Sequence, residues 1–142
     1  MDNALSFENA AFVFQAGSVL LYRGRLPSAD EAAGLPLRDS GSFGSLEPHG
    51  CSWASVPRNA ALPEDWELCD RRAFGERFGM DAFKAMSAAW GLMDWKSQSR
   101  YCGRYGTKME QSPTDERAMK GPKCGHMLFP VICPAMIVAV ER

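Results

Sequence analysis

Tyr101-Cys102-Gly103-Arg104-Tyr105-Gly106 and Gly121-Pro122-Lys123-Cys124-Gly125-His126 are the two stretches on which the reading of this chain turns. Each sets one thiol in a short, glycine-bearing turn. Two thiols three residues apart with a glycine after them make a knuckle, and two knuckles at hairpin tips can bring four thiolates to one tetrahedral ion. Here each knuckle keeps one thiol: Tyr105 stands where the first needs its second cysteine, and Gly121 where the second needs its first. The candidate metal ligands are Cys102 and Cys124, with His126 as the one nearby group that could be a third.

Two readings of this pair stay open. Cys102, Cys124 and His126 with a water could hold zinc, although a closed structural site takes four protein ligands. The favoured alternative is a pair of reduced thiols in a zinc-ribbon-like hairpin module held by packing of Tyr101, Tyr105, Met127 and Phe129.

Working upstream, Phe83, Met86, Trp90 and Met93 recur at spacings of three and four, which predicts a helix over 81–97 with Asp81 as its N-cap and the stripe facing a core. Phe12-Val13-Phe14 and Val19-Leu20-Leu21-Tyr22 flank Gln15-Ala16-Gly17-Ser18, a β-hairpin pattern in which Gly17 supplies the positive φ of the turn. Cys51 to Val56 reads as a further strand around Trp53. The Pro-, Gly-, Ser- and Asp-rich stretch 25–50 fits neither period and reads as a long surface excursion.

Composition confines the chain to a globular protein: 46% apolar and 23% charged residues among 142 suffice for a core, with no run long enough to span a membrane. The start, Met1-Asp2-Asn3, lacks the basic region of a signal peptide, so the expected location is cytoplasmic and the five cysteines are expected to be thiols or metal ligands. The net charge of −1 conceals an uneven spread, with seven basic residues against three acidic ones between Lys96 and Lys123.

Trp90-Gly91-Leu92-Met93-Asp94-Trp95, then Ser99-Arg100-Tyr101-Cys102-Gly103, then Gly121 through Pro130, resemble the junction and the knuckles of the zinc ribbon in NAD(H) diphosphatases of the Nudix superfamily. Val131 to Val140, with Cys133-Pro134-Ala135, resembles the first strand of their catalytic domain, and Leu62-Pro63-Glu64-Asp65-Trp66 is loosely similar to their N-terminal domain. The resemblance implies zinc in the ribbon, a homodimer, and Mg²⁺ or Mn²⁺ in a catalytic domain that splits NAD(H) into nicotinamide mononucleotide and AMP. That chemistry uses the carboxylates of a box, G-x5-E-x7-R-E-U-x-E-E-x-G-U with U apolar, to bind cations around a pyrophosphate. No stretch of this sequence matches the box, and Glu76, Asp81 and Asp94 are scattered acids.

The fold expected is therefore α+β: an N-terminal mixed domain (1–98) with a hairpin and a C-terminal helix, a zinc-ribbon-like module with degenerate knuckles (99–130), and a terminal strand (131–142) of a truncated Nudix domain. The function expected is that of the N-terminal and ribbon portion of a NAD(H) diphosphatase, with no catalytic residues of its own, serving assembly or scaffolding and meeting NAD(H) only with the missing domain. The alternative is a stand-alone binding module contacting a protein partner or nucleic acid, the latter through Arg100, Tyr101, Arg104, Tyr105 and Lys108, whose cations and rings suit phosphates and bases. Cys124 beside His126 is too close in sequence to work as a nucleophile and base, and no phosphate-cradling glycine loop occurs.

Overall fold

A computed structural model describes residues 7–131 and 133–141. The chain divides into two compact units, Met1–Ser97 and Gln98–Arg142.

The first unit is built on β1 (Ala11–Gln15) and β2 (Ser18–Tyr22), the expected hairpin, joined by a two-residue turn in which Ala16 (φ 50°) and Gly17 (φ 90°) are both left-handed. Positive φ at both central residues is the turn whose twist matches that of paired strands. Strand β4 (Ser52–Ser55), also expected, lies parallel to β1 and places Trp53 opposite Phe12. Strands β3 (Asp39–Ser42) and β5 (Trp66–Cys69) complete a five-stranded sheet in the order β3-β4-β1-β2-β5.

All five residues of β1 are buried because both faces of the sheet are covered. Phe12, Phe14, Val19 and Leu21 face one cluster, which contains Phe74 of α2 (Arg71–Phe78) and Ala82, Ala85, Met86 and Ala89 of α3 (Met80–Gln98). Ala11, Val13, Leu20 and Ala54 face the other, capped by Ala32 of α1 (Ala29–Ala33). An unbroken apolar run is what a strand covered on both sides requires. The polar end of β1 is satisfied as well: the buried Gln15 amide donates to the carbonyls of Pro57 (2.9 Å) and Ala60 (2.8 Å), pinning the loop that follows β4.

Two expectations need correction. The stretch 25–50 is not one excursion, for it contains α1 and β3; Ser28 caps α1 while the Glu31 carboxylate accepts from the Ser28 N–H, a reciprocal capping box that stabilises even five residues of helix. Helix α3 begins one residue before Asp81. Gly79 fills the cap instead, since its carbonyl accepts from the Phe83 N–H (3.1 Å) and its own N–H closes α2 on Gly75. The expected stripe does face the core, with Met86 buried and Phe83, Trp90 and Met93 half-buried against it, while Ala82, Ala85 and Ala89 fill the centre of the buried face. Small residues at the centre let the helix lie close to the sheet while the large ones reach round its sides.

The second unit holds a three-stranded antiparallel sheet, β6 (Glu110–Gln111), β7 (Met119–Lys120) and β8 (Met127–Leu128), with β7 in the middle. The expected strand over 131–142 is not formed among the described residues: 133–141 are exposed and join no sheet, and an isolated strand has no neighbour to satisfy its backbone groups. Ile132 and Arg142 lie outside the described residues. No helix among the described residues is long and apolar enough to cross a membrane.

Candidate knuckle site

The two turns of the second unit have the same backbone plan. In the first, the Cys102 N–H donates to the Thr107 carbonyl (2.8 Å) and the Gly106 N–H returns to the Cys102 carbonyl (2.8 Å). In the second, the Gly121 N–H donates to the His126 carbonyl (2.8 Å) and the Gly125 N–H returns to the Gly121 carbonyl (2.8 Å). Gly106 and Gly125 occupy the same place in the two turns and share a left-handed conformation, φ 67° and 69°. A β-carbon there would be strained, so both glycines are dictated by the turn itself.

This correspondence pairs Cys102 with Gly121 and Tyr105 with Cys124. The thiols therefore sit at opposite corners of the doubled motif, and they meet: Cys102 Sγ is 3.5 Å from Cys124 Sγ. Gly121 borders the same point, since a β-carbon built on it would lie 3.1 Å from Cys124 Sγ, 3.5 Å from Met109 Sδ and 3.7 Å from Cys102 Sγ. Tyr105 is 52% exposed, its ring beneath the Lys123 ammonium at 5.0 Å.

The two sulfurs differ. Cys102 is buried and Cys124 half-buried. The Cys102 thiol is held below its ordinary pKa, first by the Arg104 N–H (3.4 Å from the sulfur) and then by that of Tyr105; Cys124 and the Arg104 guanidinium add to this, and burial opposes it. In the first unit burial acts alone on Cys51, pushing its thiol up to about 11, and dominates at Cys69.

His126 is exposed, and among the described residues no group of three or more His, Cys, Asp or Glu side chains is placed to hold a metal. A donor set of two thiols does not fit the four-ligand closed site of structural zinc. The expected packing of the ribbon also needs correction. Tyr101 and Phe129 are at least half exposed, like Tyr105, and the buried residues are Cys102, Met109, Ala118 and Met119, with Ser99, Ser112 and Gly121. In strands of two residues a large ring has too little surface to pack against, so the interior is made of what fits between the turns. Gln111 supplies a polar tie that sequence reasoning missed, its amide donating to the carbonyls of Asp115, Glu116 and Ala118.

Of the residues considered for nucleic acid, Tyr101, Arg104, Tyr105 and Lys108 are exposed and Arg100 is half-buried. Tyr101 pairs with Lys108 in a single antiparallel β-bridge.

No family model matches the chain. Among curated proteins it is similar to several that carry the name NAD-capped RNA hydrolase NudC. It is 38% identical over 71 residues to the one from Stutzerimonas stutzeri, covering 50% of this chain and 25% of that protein. Against the Deinococcus radiodurans protein it is 29% identical over 135 residues, 92% of this chain and 45% of its relative. The Haemophilus influenzae protein matches at 37% over 62 residues, 44% of this chain and 23% of the relative. The chain spans less than half the length of each. These matches bear out the resemblance read from the sequence: the chain is similar to curated proteins named NAD-capped RNA hydrolase NudC, in one case over 92% of its length.

Proposed function

We propose that this chain supplies the non-catalytic, assembly-bearing portion of a NAD(H) diphosphatase-like protein and hydrolyses nothing by itself. The observation that carries the reading is the doubled knuckle at 102–107 and 121–126 in a chain similar to a NudC protein over 92% of its length. The scaffold fits that role: a sheet covered on both faces is a rigid support.

The test is direct. The purified chain, given NADH or NAD-capped RNA with Mg²⁺ or Mn²⁺, should release no nicotinamide mononucleotide above a protein-free control, and should sediment as a dimer. Turnover abolished by chelation and unaffected by further purification would sink the proposal of inactivity, and a monomer at all concentrations would sink that of assembly.

A second reading rests on the exposed Tyr101, Arg104, Tyr105 and Lys108, with Lys123 stacked on Tyr105. Rings with cations beside them suit single-stranded nucleic acid, and the curated relatives are named for action on an RNA. In this reading the ribbon holds RNA backbone while another domain works on the cap. Binding of a short single-stranded RNA should weaken steeply with salt and be lost in Tyr105→Ala with Arg104→Ala. No binding at low salt would remove this reading.

A further inference from the structure

The point at which a metal would join the two knuckles holds a different chemistry. We propose that Cys102 and Cys124 form a reversible disulfide which closes the two turns on each other. Their sulfurs are already in contact at 3.5 Å across 22 positions of sequence. A disulfide bond is about 2.05 Å long, so the sulfurs must approach by roughly 1.5 Å. Each thiol sits within a turn whose outer residues, 103–105 and 122–123, are exposed, so a small turn movement suffices and the strands can stay in place.

Both departures from a four-thiol set leave that approach clear. A side chain at 121 would begin 3.1 Å from one sulfur and 3.7 Å from the other, and glycine leaves this space empty. Tyr105, at the matching place in the first turn, is exposed beneath Lys123. With no third or fourth donor in reach among the described residues, the pair is free to bond to itself. The remaining cysteines are placed otherwise: the Cys51 and Cys69 thiols donate to the carbonyls of Phe7 (3.1 Å) and Asp70 (3.4 Å) inside the first unit, and Cys133 is exposed on the extended 133–141 segment.

The oxidant is a small-molecule disulfide of the glutathione class. Cys124, the more accessible sulfur, attacks it as thiolate; the reagent's S–S bond breaks, one thiol leaves, and a mixed disulfide forms on Cys124. Cys102 then attacks the Cys124 sulfur and expels the second thiol. Two electrons pass from the cysteine pair to the reagent, and the two protons lost by the cysteines end on the two released thiols.

The test uses the whole chain in buffers of varied oxidised-to-reduced glutathione ratio, with rapid alkylation and peptide mapping without reductant. The expected result is loss of both Cys102 and Cys124 from the alkylated pool together, with one cross-linked peptide pair lighter by two hydrogens, reversed by excess reduced glutathione. Cys102→Ser should stop at the mixed disulfide on Cys124. The link should disappear in favour of scrambled pairs when the chain is oxidised in denaturant, which ties it to the folded turns. Both thiols staying alkylatable at every ratio would overturn the proposal, as would a dominant Cys124–Cys133 pair or the same mixture of pairs from folded and unfolded chain.

Discussion

The two units reach order by different means. The first has a core in which Phe12, Phe14, Phe74, Leu20, Leu21 and Met86 are fully buried and both faces of the sheet are covered. The second has strands of two residues and an interior of Cys102, Met109, Ala118 and Met119, with its shape written in repeated backbone hydrogen bonds and a pair of left-handed glycines. Burial can hold a fold against many substitutions, whereas a small turn-built module depends on a few positions and on whatever links its turns.

The largest expected effect follows from supplying that link. Tyr105→Cys with Gly121→Cys puts a thiol at each of the four corners, and Gly121 has a backbone conformation open to other residues. The double variant should bind about one zinc per chain by elemental analysis. It should also gain protection from hydrogen exchange in the ribbon amides, because structural zinc can contribute about 10 kcal/mol or more. Each single variant should gain far less. Failure of the double variant to bind zinc would show that the backbone correspondence of the turns does not extend to their side chains.

Phe12→Ala probes the other strategy. It removes a fully buried ring stacked on Phe43 and edge-on to Phe74, and should cost about 3–5 kcal/mol in a denaturant titration followed by tryptophan fluorescence. Ribbon amides should keep their exchange rates in this variant if the units are energetically separate, and their simultaneous loss would break the comparison.

The smallest effect is a pH dependence confined to the first unit. Glu31 accepts two bonds from the Arg25 guanidinium (2.6 and 3.0 Å) and one from the Ser28 N–H, which together hold its pKa down to about 2 from an ordinary 4.5. The folded value is the lower one, so the contribution is present above about pH 4.5 and lost as pH falls towards 2. The pair is partly exposed and screened, which keeps the effect modest. Glu31→Gln should lower stability modestly above about pH 4.5, flatten the acid limb between there and pH 2, and change little below it; an unaltered acid limb would place the dependence elsewhere.

The contrast between the units also explains what could be read from the sequence. Periodicity found the β1–β2 hairpin, β4 and α3, because long or alternating apolar stretches announce their partners. It missed α1, whose five residues bury only Ala32 and whose signal lies in the spacing of Ser28 and Glu31. It missed α2 as well, where a single buried residue, Phe74, gives no repeat to count. In the ribbon the cysteine and glycine positions were legible, since the turn chemistry is local. The interior was not, because exposure of Tyr101, Tyr105 and Phe129 depends on how little surface three very short strands offer.

Sheet order also bears on how this protein keeps to itself. Strand β3 closes one side of the five-stranded sheet with Asp39-Ser40-Gly41-Ser42, paired to β4, and β5 closes the other. An open edge is a template on which further chains can add and grow into aggregates, and a short, polar edge carrying a charge is a poor template. The hydrophobic strands β1 and β2 lie inside the sheet, where other strands already occupy their hydrogen-bonding sides. At the β3 side, the sheet thus ends in a strand that has little to offer a passing chain.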